Sequence, residues 1–410
     1  MKESYGEPKL IMSRRLRRQG VRIGTFFRTK GKQNIIITAA LFGLVLIFTL
    51  LNQNFISSYN IVSMAQSLAP YAVLSLGVTF VIATGGIDLS IGTVCIASAV
   101  IAGKLYMDGM PLWATIPIMI LIGTIFGLIN GFLVAKLKLP AFIATLGTMM
   151  FARGLSAIIV SIPNIFFPSG TLFNSIFSNA NGFPSGLVWV FVLMLLCMYL
   201  MFKNKIGRYI LSIGSNEEAT RLSGINTDKY KIIAYTISGI FAGLAAVFWA
   251  ASFATVASAT GNGMELDAIA GVYIGGTSAA GGVASISGSI IGSLMLVIIR
   301  NGLNFVLAKF SLNVNSTYVT FVLTGIIVVV AVLMDVIKNK NSTKFKAESE
   351  KKKLKKIYKI KYEELQVEKD YLVSNKWINK EEKNIKLGEL NERIDKLKET
   401  LSSELAKAKK

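Results

Sequence analysis

The stretch ATGGIDLSIGT, residues 83–93, interrupts a long apolar run with three glycines and one carboxylate, Asp88. A carboxylate near the centre of a bilayer costs about 2.5 to 3.5 kcal/mol on insertion scales. Apolar sequence continues on both sides, so we expect a membrane helix that breaks at Gly85 and Gly86. Asp88 is then expected to accept hydrogen bonds from backbone N–H groups freed by the break, or to cap the helix that resumes at Leu89.

The composition is that of a membrane protein. Hydrophobic residues make up 52% of the 410 residues, and the mean hydropathy is +0.55. A helix needs roughly 20 apolar residues to cross a bilayer. The predicted fold is an all-α membrane protein with about ten transmembrane helices, the third and eighth of them short: Ile35–Leu51, Ile61–Thr84, Leu89–Gly103, Pro111–Ala135, Phe142–Ile162, Gly186–Phe202, Ile232–Val256, Ile269–Gly282, Ile286–Leu307 and Thr317–Ile337.

The net charge of +21 is concentrated at the two ends of the chain. Basic residues crowd segments 1–34 and 338–410, whereas the apolar region 35–337 is sparsely charged. Lys and Arg that flank membrane helices are retained on the cytoplasmic side. We therefore predict a multi-pass protein with both termini cytoplasmic, an even number of spans and no nucleic-acid partner. The first apolar run is expected to be a retained anchor, not a cleaved signal peptide.

Two kinds of chemistry are missing from the sequence. There is no histidine, and no phosphate-binding GxxxxGK[ST] motif occurs. We therefore expect no catalytic residue and no metal site, and any ATP that drives transport must be hydrolysed by another subunit. Ionisable residues in the apolar region are few, which counts against a proton-coupled carrier; they are Asp88, Arg153, Asp267, Arg300 and Asp335.

A second glycine-broken segment lies in the later half, at residues 271–293, with the sequence GVYIGGTSAAGGVASISGSIIGS. Paired interrupted spans in two halves of a chain indicate related halves and a substrate path between them. The residues predicted to line that path are Gly85, Gly86, Asp88, Ser90, Gly275, Gly276 and Thr277. The alternative is that such glycines only permit close helix packing, as expected for Gly123, Gly127, Gly131, Gly288 and Gly292.

The loop Lys203–Lys231 is predicted to be cytoplasmic from its charge. Ser215 or Asn216 can cap a short helix over Glu217–Ser223, and Gly224 can end it. A helix of two turns is unstable alone, so it is expected to be docked. It either connects two spans along the inner membrane face or protrudes into a groove on a cytoplasmic partner.

Four blocks of sequence together resemble a known family. They are GGIDLSIG (85–92), FIATLGTMMFARG (142–154), IGRYILSIGSNEEATRLSGIN (206–226) and ELDAIAGVYIGGTSAAGG (265–282), followed by RNGLNF (300–305). These blocks resemble the permease subunits of bacterial ABC monosaccharide importers of the ribose, xylose and galactoside type. The resemblance implies an inner-membrane permease that works as a pair by alternating access. Its partners would be a cytoplasmic ABC ATPase that uses ATP and Mg, and an extracytoplasmic sugar-binding protein. This chain itself would bind no cofactor.

The resemblance also implies roles for particular residues. The stretch 214–224 resembles a coupling helix that enters the ATPase, with the candidate residues Gly214, Asn216, Glu217, Glu218, Ala219, Arg221, Ser223 and Gly224. Glu265 and Asp267 are expected near the outer mouth, where the binding protein or the sugar could meet them. Asp88 is expected to hold the broken helix and not to touch sugar.

Residues 338–410 extend beyond the usual end of this family. Leu387, Leu390, Ile394, Leu397 and Leu401 recur at intervals of three and four, which predicts a helical or coiled-coil seam. Asn379 with Glu382 could start that helix as a capping box, and an earlier helix near Leu354–Leu372 could fold back on it. The excess lysines could also lie along anionic membrane lipids.

Three other functions remain open at this point. The chain could serve an importer of nucleosides or another small polar solute, act alone as a secondary carrier or channel, or be a membrane scaffold that presents the C-terminal tail.

Overall fold

The computed structural model describes residues 37–160, 164–258, 260–310, 316–374 and 379–407. The predicted N-terminal segment 1–34 lies outside the described residues. The helices are α1 (Ile37–Leu51), α2 (Ser58–Ala83), α3 (Ile91–Met107), α4 (Leu112–Ala135), α5 (Ala141–Ile159), α6 (Leu172–Phe177), α7 (Ser185–Phe202), α8 (Lys205–Ser215), α9 (Glu217–Leu222), α10 (Thr227–Phe253), α11 (Met264–Ile274), α12 (Ile286–Lys309), α13 (Ser316–Ser374) and α14 (Lys380–Lys407), with a 3-10 turn at Gln53–Ile56.

The all-α membrane fold is confirmed. Among the described residues, six helices are long and apolar enough to cross a membrane, namely α2, α4, α5, α7, α10 and α12. Shorter apolar helices occur at Ile37–Leu51, Ile91–Met107 and Tyr318–Met334. Strands in the described part are limited to β1 (Ile165–Phe166) and β2 (Thr255–Val256), which pair antiparallel.

The eighth predicted span differs most from the structure. The apolar pattern predicts it at Ile269–Gly282, whereas α11 begins at Met264 and ends at Ile274. Its 11 residues rise only about 16 Å at 1.5 Å per residue, too little to cross a bilayer alone. The helix ends where Gly276 takes a φ of +88°, a left-handed conformation that glycine adopts without strain. The glycine pair thus stops the helix earlier than the apolar pattern suggests.

Close helix packing at the predicted glycines is confirmed. A Cβ added to Gly127 would lie 2.9 Å from the Cα of Gly239, so α4 and α10 meet backbone to backbone. Gly292 and Gly288 of α12 likewise face Gly271 and Gly275, at the end of α11, with no room for a side chain. Small residues allow this approach, which increases van der Waals contact between helices where lipid gives no hydrophobic driving force.

The chain divides into two compact units, Met1–Asp335 and Val336–Lys410. In the second unit, α14 lies antiparallel to the preceding helical segment: Tyr358 bonds to Glu404 at 3.4 Å and Lys369 to Asn391 at 2.9 Å. All five predicted seam leucines and isoleucines are buried or half-buried, so the predicted fold-back is present. The Glu382 side chain of the predicted capping box lies outside the described part.

Candidate functional site

The first break is held by Asp88, which is only 2% exposed. One carboxylate oxygen accepts hydrogen bonds from the Ser90 backbone N–H at 3.0 Å and the Ser90 hydroxyl at 2.7 Å. The other oxygen accepts from the hydroxyl of Ser238, on α10, at 2.7 Å. Ser90 Oγ in turn accepts from Asn130 Nδ2, on α4, at 2.8 Å. Asp88 therefore binds freed backbone and ties the break to two neighbouring helices, and α3 starts at Ile91, two residues later than expected.

The second break is a compact turn built by residues 275–285. Thr277 Oγ1 accepts a hydrogen bond from the Ser285 N–H at 3.0 Å, just before α12 begins. The Ser278 N–H donates to the Val283 carbonyl at 3.1 Å, which closes the loop. Gly281 and Gly282 both have positive φ, +80° and +74°. Only glycine takes up consecutive left-handed conformations without cost, so this turn depends on both of them.

The two breaks touch each other. The Gly282 N–H donates a hydrogen bond of 3.0 Å to the carbonyl of Ala83, the last residue of α2. A Cβ added to Gly281 would lie 2.7 Å from the backbone nitrogen of Gly85. The matched interruptions, 190 residues apart in sequence, are therefore one structural unit. Their shared role in a substrate path stays a prediction.

The C-terminal end of α8 completes this contact. A Cβ on Gly281 would come within 2.9 Å of the Gly214 Cα, and a Cβ on Gly282 within 3.0 Å of the Ser215 Cα. A Cβ on Gly214 would overlap the Ala83 carbonyl oxygen and the Gly282 nitrogen. We call these three touching segments, 83–85, 214–215 and 281–282, the glycine junction. It joins both breaks directly to the helix that precedes the predicted coupling segment.

The predicted coupling helix is present as α9. Asn216 Oδ1 accepts from the Ala219 N–H at 2.9 Å, so Asn216 and not Ser215 is the N-cap. Gly224 takes a φ of +82° directly after the helix. Asn216, Glu218, Ala219, Arg221, Ser223 and Gly224 are exposed, and Leu222 is 83% exposed. An open cleft of about 390 Å³ separates α9 from α8. The surface is available for a partner, although its role in coupling stays a prediction.

Glu217 anchors α9 to the start of α10. Its carboxylate forms ion pairs with Lys231 at 2.6 Å and with Arg221 at 3.1 Å. Partial burial alone would raise the pKa of Glu217, but the hydrogen bond and charge of Lys231 and the charge of Arg221 hold it below its usual value. The carboxylate therefore stays ionised at neutral pH and fixes the orientation of α9.

Glu265 and Asp267, predicted at an outer mouth, both lie buried at the start of α11. Asp267 is 3% exposed, is paired with Arg300, and accepts from the Thr324 hydroxyl at 3.3 Å. Arg300 also donates to the Tyr71 hydroxyl at 2.7 Å. Both carboxylate oxygens of Asp267 are thus engaged, and they join α11 to α12 and α13. Contact with a binding protein stays a prediction for both acids.

Sequence reasoning missed α8 and therefore missed the glycine junction. The charges of segment 203–215 interrupt the apolar pattern, and that interruption predicts a loop. Ile206, Ile210 and Ile213 nevertheless recur at helical spacing, and the last two are fully buried. That spacing was the available signal for an amphipathic helix.

The described residues form an all-α body in which six helices are long and apolar enough to cross a membrane, with two internal breaks and buried polar groups around them. These features are typical of a multi-pass membrane transport component. The chain belongs to the family described as branched-chain amino acid transport system / permease component, which matches residues 60–332. It is a multi-pass inner-membrane protein, and its part in transport is that of a permease.

Curated relatives match over most of their length. The ribose import permease RbsC of Haemophilus influenzae is 36% identical over 303 residues, 72% of this chain and 91% of that protein. The fructose import permease FruG of Bifidobacterium longum is 36% identical over 272 residues, 64% of this chain and 77% of that protein. A probable ABC transporter permease of Sinorhizobium fredii is 34% identical over 279 residues, 67% and 81% of the two chains. No solved structure matches. The resemblance to sugar-importer permeases is confirmed, and residues 338–410 lie beyond the family match.

Proposed function

We propose that this chain is the membrane-spanning subunit of an ATP-driven importer for a monosaccharide of the ribose or galactose class. The observation that carries the proposal is the 36% identity to a ribose import permease across 91% of that protein. A match over nearly the whole permease, and not over one motif, supports a shared transport task. The sequence has no phosphate-binding GxxxxGK[ST] motif, which supports assigning ATP hydrolysis, with its Mg, to a separate cytoplasmic ATPase subunit.

The surface of α9 fits the contact with that ATPase. Its exposed Leu222 offers an apolar anchor, and Arg221 and Glu218 flank it with opposite charges. Interfaces of this kind draw affinity from a few central apolar side chains within a polar rim. A movement of α9 would be transmitted through α8 to the glycine junction and from there to both breaks. Alternating access could be driven through these contacts.

The other partners follow from the same proposal. A second permease copy would complete the solute path, an extracytoplasmic binding protein would deliver the sugar, and both termini would lie in the cytoplasm. The basic segments at the two ends would then lie close to anionic lipids on the cytoplasmic face.

Reconstituted transport tests the proposal. The permease, its ATPase and its binding protein are placed in proteoliposomes, and uptake of labelled D-ribose, D-galactose, D-fructose and a nucleoside is measured with and without ATP. ATP-dependent accumulation of a pentose or hexose supports the proposal. Accumulation of the nucleoside alone would replace the solute class, and sugar accumulation without ATP would refute the energy source.

A branched-chain amino acid is the second candidate solute, because the matching family is described by that transport system. Labelled L-leucine in the same proteoliposomes separates the two candidates. We expect no L-leucine accumulation, since the relatives aligned over most of their length are named for sugars.

A further inference from the structure

Two buried polar atoms, on helices that each pack against α3, lack hydrogen-bond partners among the described residues. Glu265 Oε2, in a residue only 7% exposed, and Arg153 Nε are both without a partner among the described residues. Leaving such a group buried and unpaired costs about 1 to 3 kcal/mol, and more when it is charged. A ligand that paired with both atoms would remove that cost.

Both groups face the first turn of α3, immediately after the first break. A Cβ added to Gly92 would lie 2.7 Å from Glu265 Oε2, so the carboxylate rests on that glycine. The guanidinium of Arg153, on α5, donates from Nη2 to the hydroxyl of Thr93 at 3.4 Å. Since Gly92 and Thr93 are consecutive, an acceptor and a donor flank one short piece of backbone.

The two acids at the start of α11 differ in how their carboxylate oxygens are engaged. Asp267, two residues after Glu265, has both oxygens engaged, one by Arg300 and one by Thr324. One acid at the start of α11 is thus used to hold helices together, while the other keeps a free oxygen.

The face of α5 beside Arg153 is open in this chain. Arg153 is only partly buried, and Met150, one helical turn before it, is 53% exposed. Residues three apart lie next to each other on a helix surface. Nothing described in this chain covers Met150 or Gly154, where an added Cβ would meet no atom within 4 Å.

We propose that Glu265 and Arg153 are solute-contacting residues that bind neighbouring hydroxyls of the transported sugar beside the first turn of α3. This assignment rests on the proposed sugar-import function. A sugar hydroxyl both donates and accepts, so one hydroxyl can donate to the free Glu265 oxygen while the next accepts from Arg153. Solute at this position would touch the helix that starts at the break, and movement of the break would change its binding.

Cysteine protection tests the assignment. In the permease–ATPase complex in nanodiscs, Met150→Cys is labelled with a water-soluble methanethiosulfonate reagent, with and without saturating D-ribose. The native Cys95 and Cys197 are buried and free, so they give little background. We expect D-ribose to slow labelling severalfold. Ile143→Cys, also exposed on α5 but about 10 Å nearer its start at 1.5 Å per residue, is the matched control and should label at the same rate with or without sugar.

Substitutions at the pair complete the test. Glu265→Gln in the Met150→Cys background should abolish protection while labelling without sugar is unchanged, and Glu265→Asp, which keeps a carboxylate, should retain part of it. Asp108→Asn, an exposed acid at the end of α3, should leave protection intact.

The remaining outcomes separate the site from the proposed function. No labelling of Met150→Cys, or labelling that D-ribose never slows although the complete transporter accumulates D-ribose, overturns the site and leaves the function standing. Protection by L-leucine instead, together with L-leucine uptake, overturns both the sugar assignment and the proposed function.

Discussion

Substituting Gly214 by Ala perturbs the glycine junction at its most crowded point. The added Cβ would overlap two backbone atoms, the Ala83 carbonyl oxygen and the Gly282 nitrogen. These atoms share the 3.0 Å hydrogen bond that joins the two breaks. Because both are backbone atoms, one at the end of α2 and the other in the turn of the second break, neither can move aside without shifting a break.

The expected cost follows from three contributions. Overpacking a well-packed site costs about 1 to 3 kcal/mol, and loss of the hydrogen bond about 1 kcal/mol. Replacing glycine inside a helix recovers at most about 1 kcal/mol. The net destabilisation is therefore about 1 to 3 kcal/mol. At an unfolding entropy of about 2.1 cal/mol/K per residue, a chain of 410 residues shifts by only about 1 °C per kcal/mol, so the melting temperature should fall by roughly 1 to 4 °C.

Thermal unfolding of the purified protein and coupled transport measure the effect together. Gly214→Ala should melt lower and should lose sugar uptake more than ATP hydrolysis, because α8 no longer seats against both breaks. Gly43→Ala is the matched control, since a Cβ there meets no atom within 4 Å, and it should not lower stability. A Gly214→Ala protein with unchanged melting temperature and full uptake would refute the junction as a tightly packed coupling element.

Three further predictions concern separate parts of the molecule. Because the pKa of Glu217 is lowered, its pairing with Lys231 stabilises the protein at pH above the ordinary value of 4.5. This contribution is lost as the pH falls through the lower folded-state pKa. The melting temperature of Glu217→Gln should therefore drop less between pH 7 and pH 4 than that of the native chain. Asp88→Ala removes the hydrogen-bond acceptor for Ser90 and Ser238 and leaves their buried donors unpaired. The free energy of unfolding, measured by chemical denaturation, should therefore fall by about 3 kcal/mol or more. An unchanged free energy of unfolding would show that the break needs no carboxylate. Truncation after Lys340 removes residues beyond the family match and should leave sugar uptake near the full-length value; abolished uptake would favour a scaffold role for the tail.

The membrane fold was predictable because its signal is local and strong. Each of the ten apolar runs overlaps one helix. A run of about 20 apolar residues is stable inside a bilayer, and there a helix satisfies all of its backbone hydrogen bonds. The ends were less predictable. The α11 helix ends at Ile274 and not at Gly282, because glycines that are neutral in hydropathy terminate it through backbone conformation.

The site was predictable in its parts but not in its assembly. Asp88 as the anchor of the first break and Asn216 with Gly224 as the ends of α9 follow from local chemistry, namely a carboxylate beside freed N–H groups and a capping pattern. The meeting of Ala83, Gly214 and Gly282 is a long-range contact that no local pattern encodes. Likewise, Asp267 is paired while Glu265 keeps a free oxygen, and this difference depends on side chains of α5 and α12 that lie far from the two acids in sequence.

Uptake by this chain alone tests the central claim most directly. That claim is that the polypeptide forms the solute path and that a separate ATPase drives its movement. Labelled D-ribose is supplied to liposomes that hold only this chain, and to liposomes that also hold the ATPase, the binding protein and ATP. We predict accumulation in the complete system and none above protein-free liposomes with the chain alone. Steady sugar flux through the isolated chain would contradict the account.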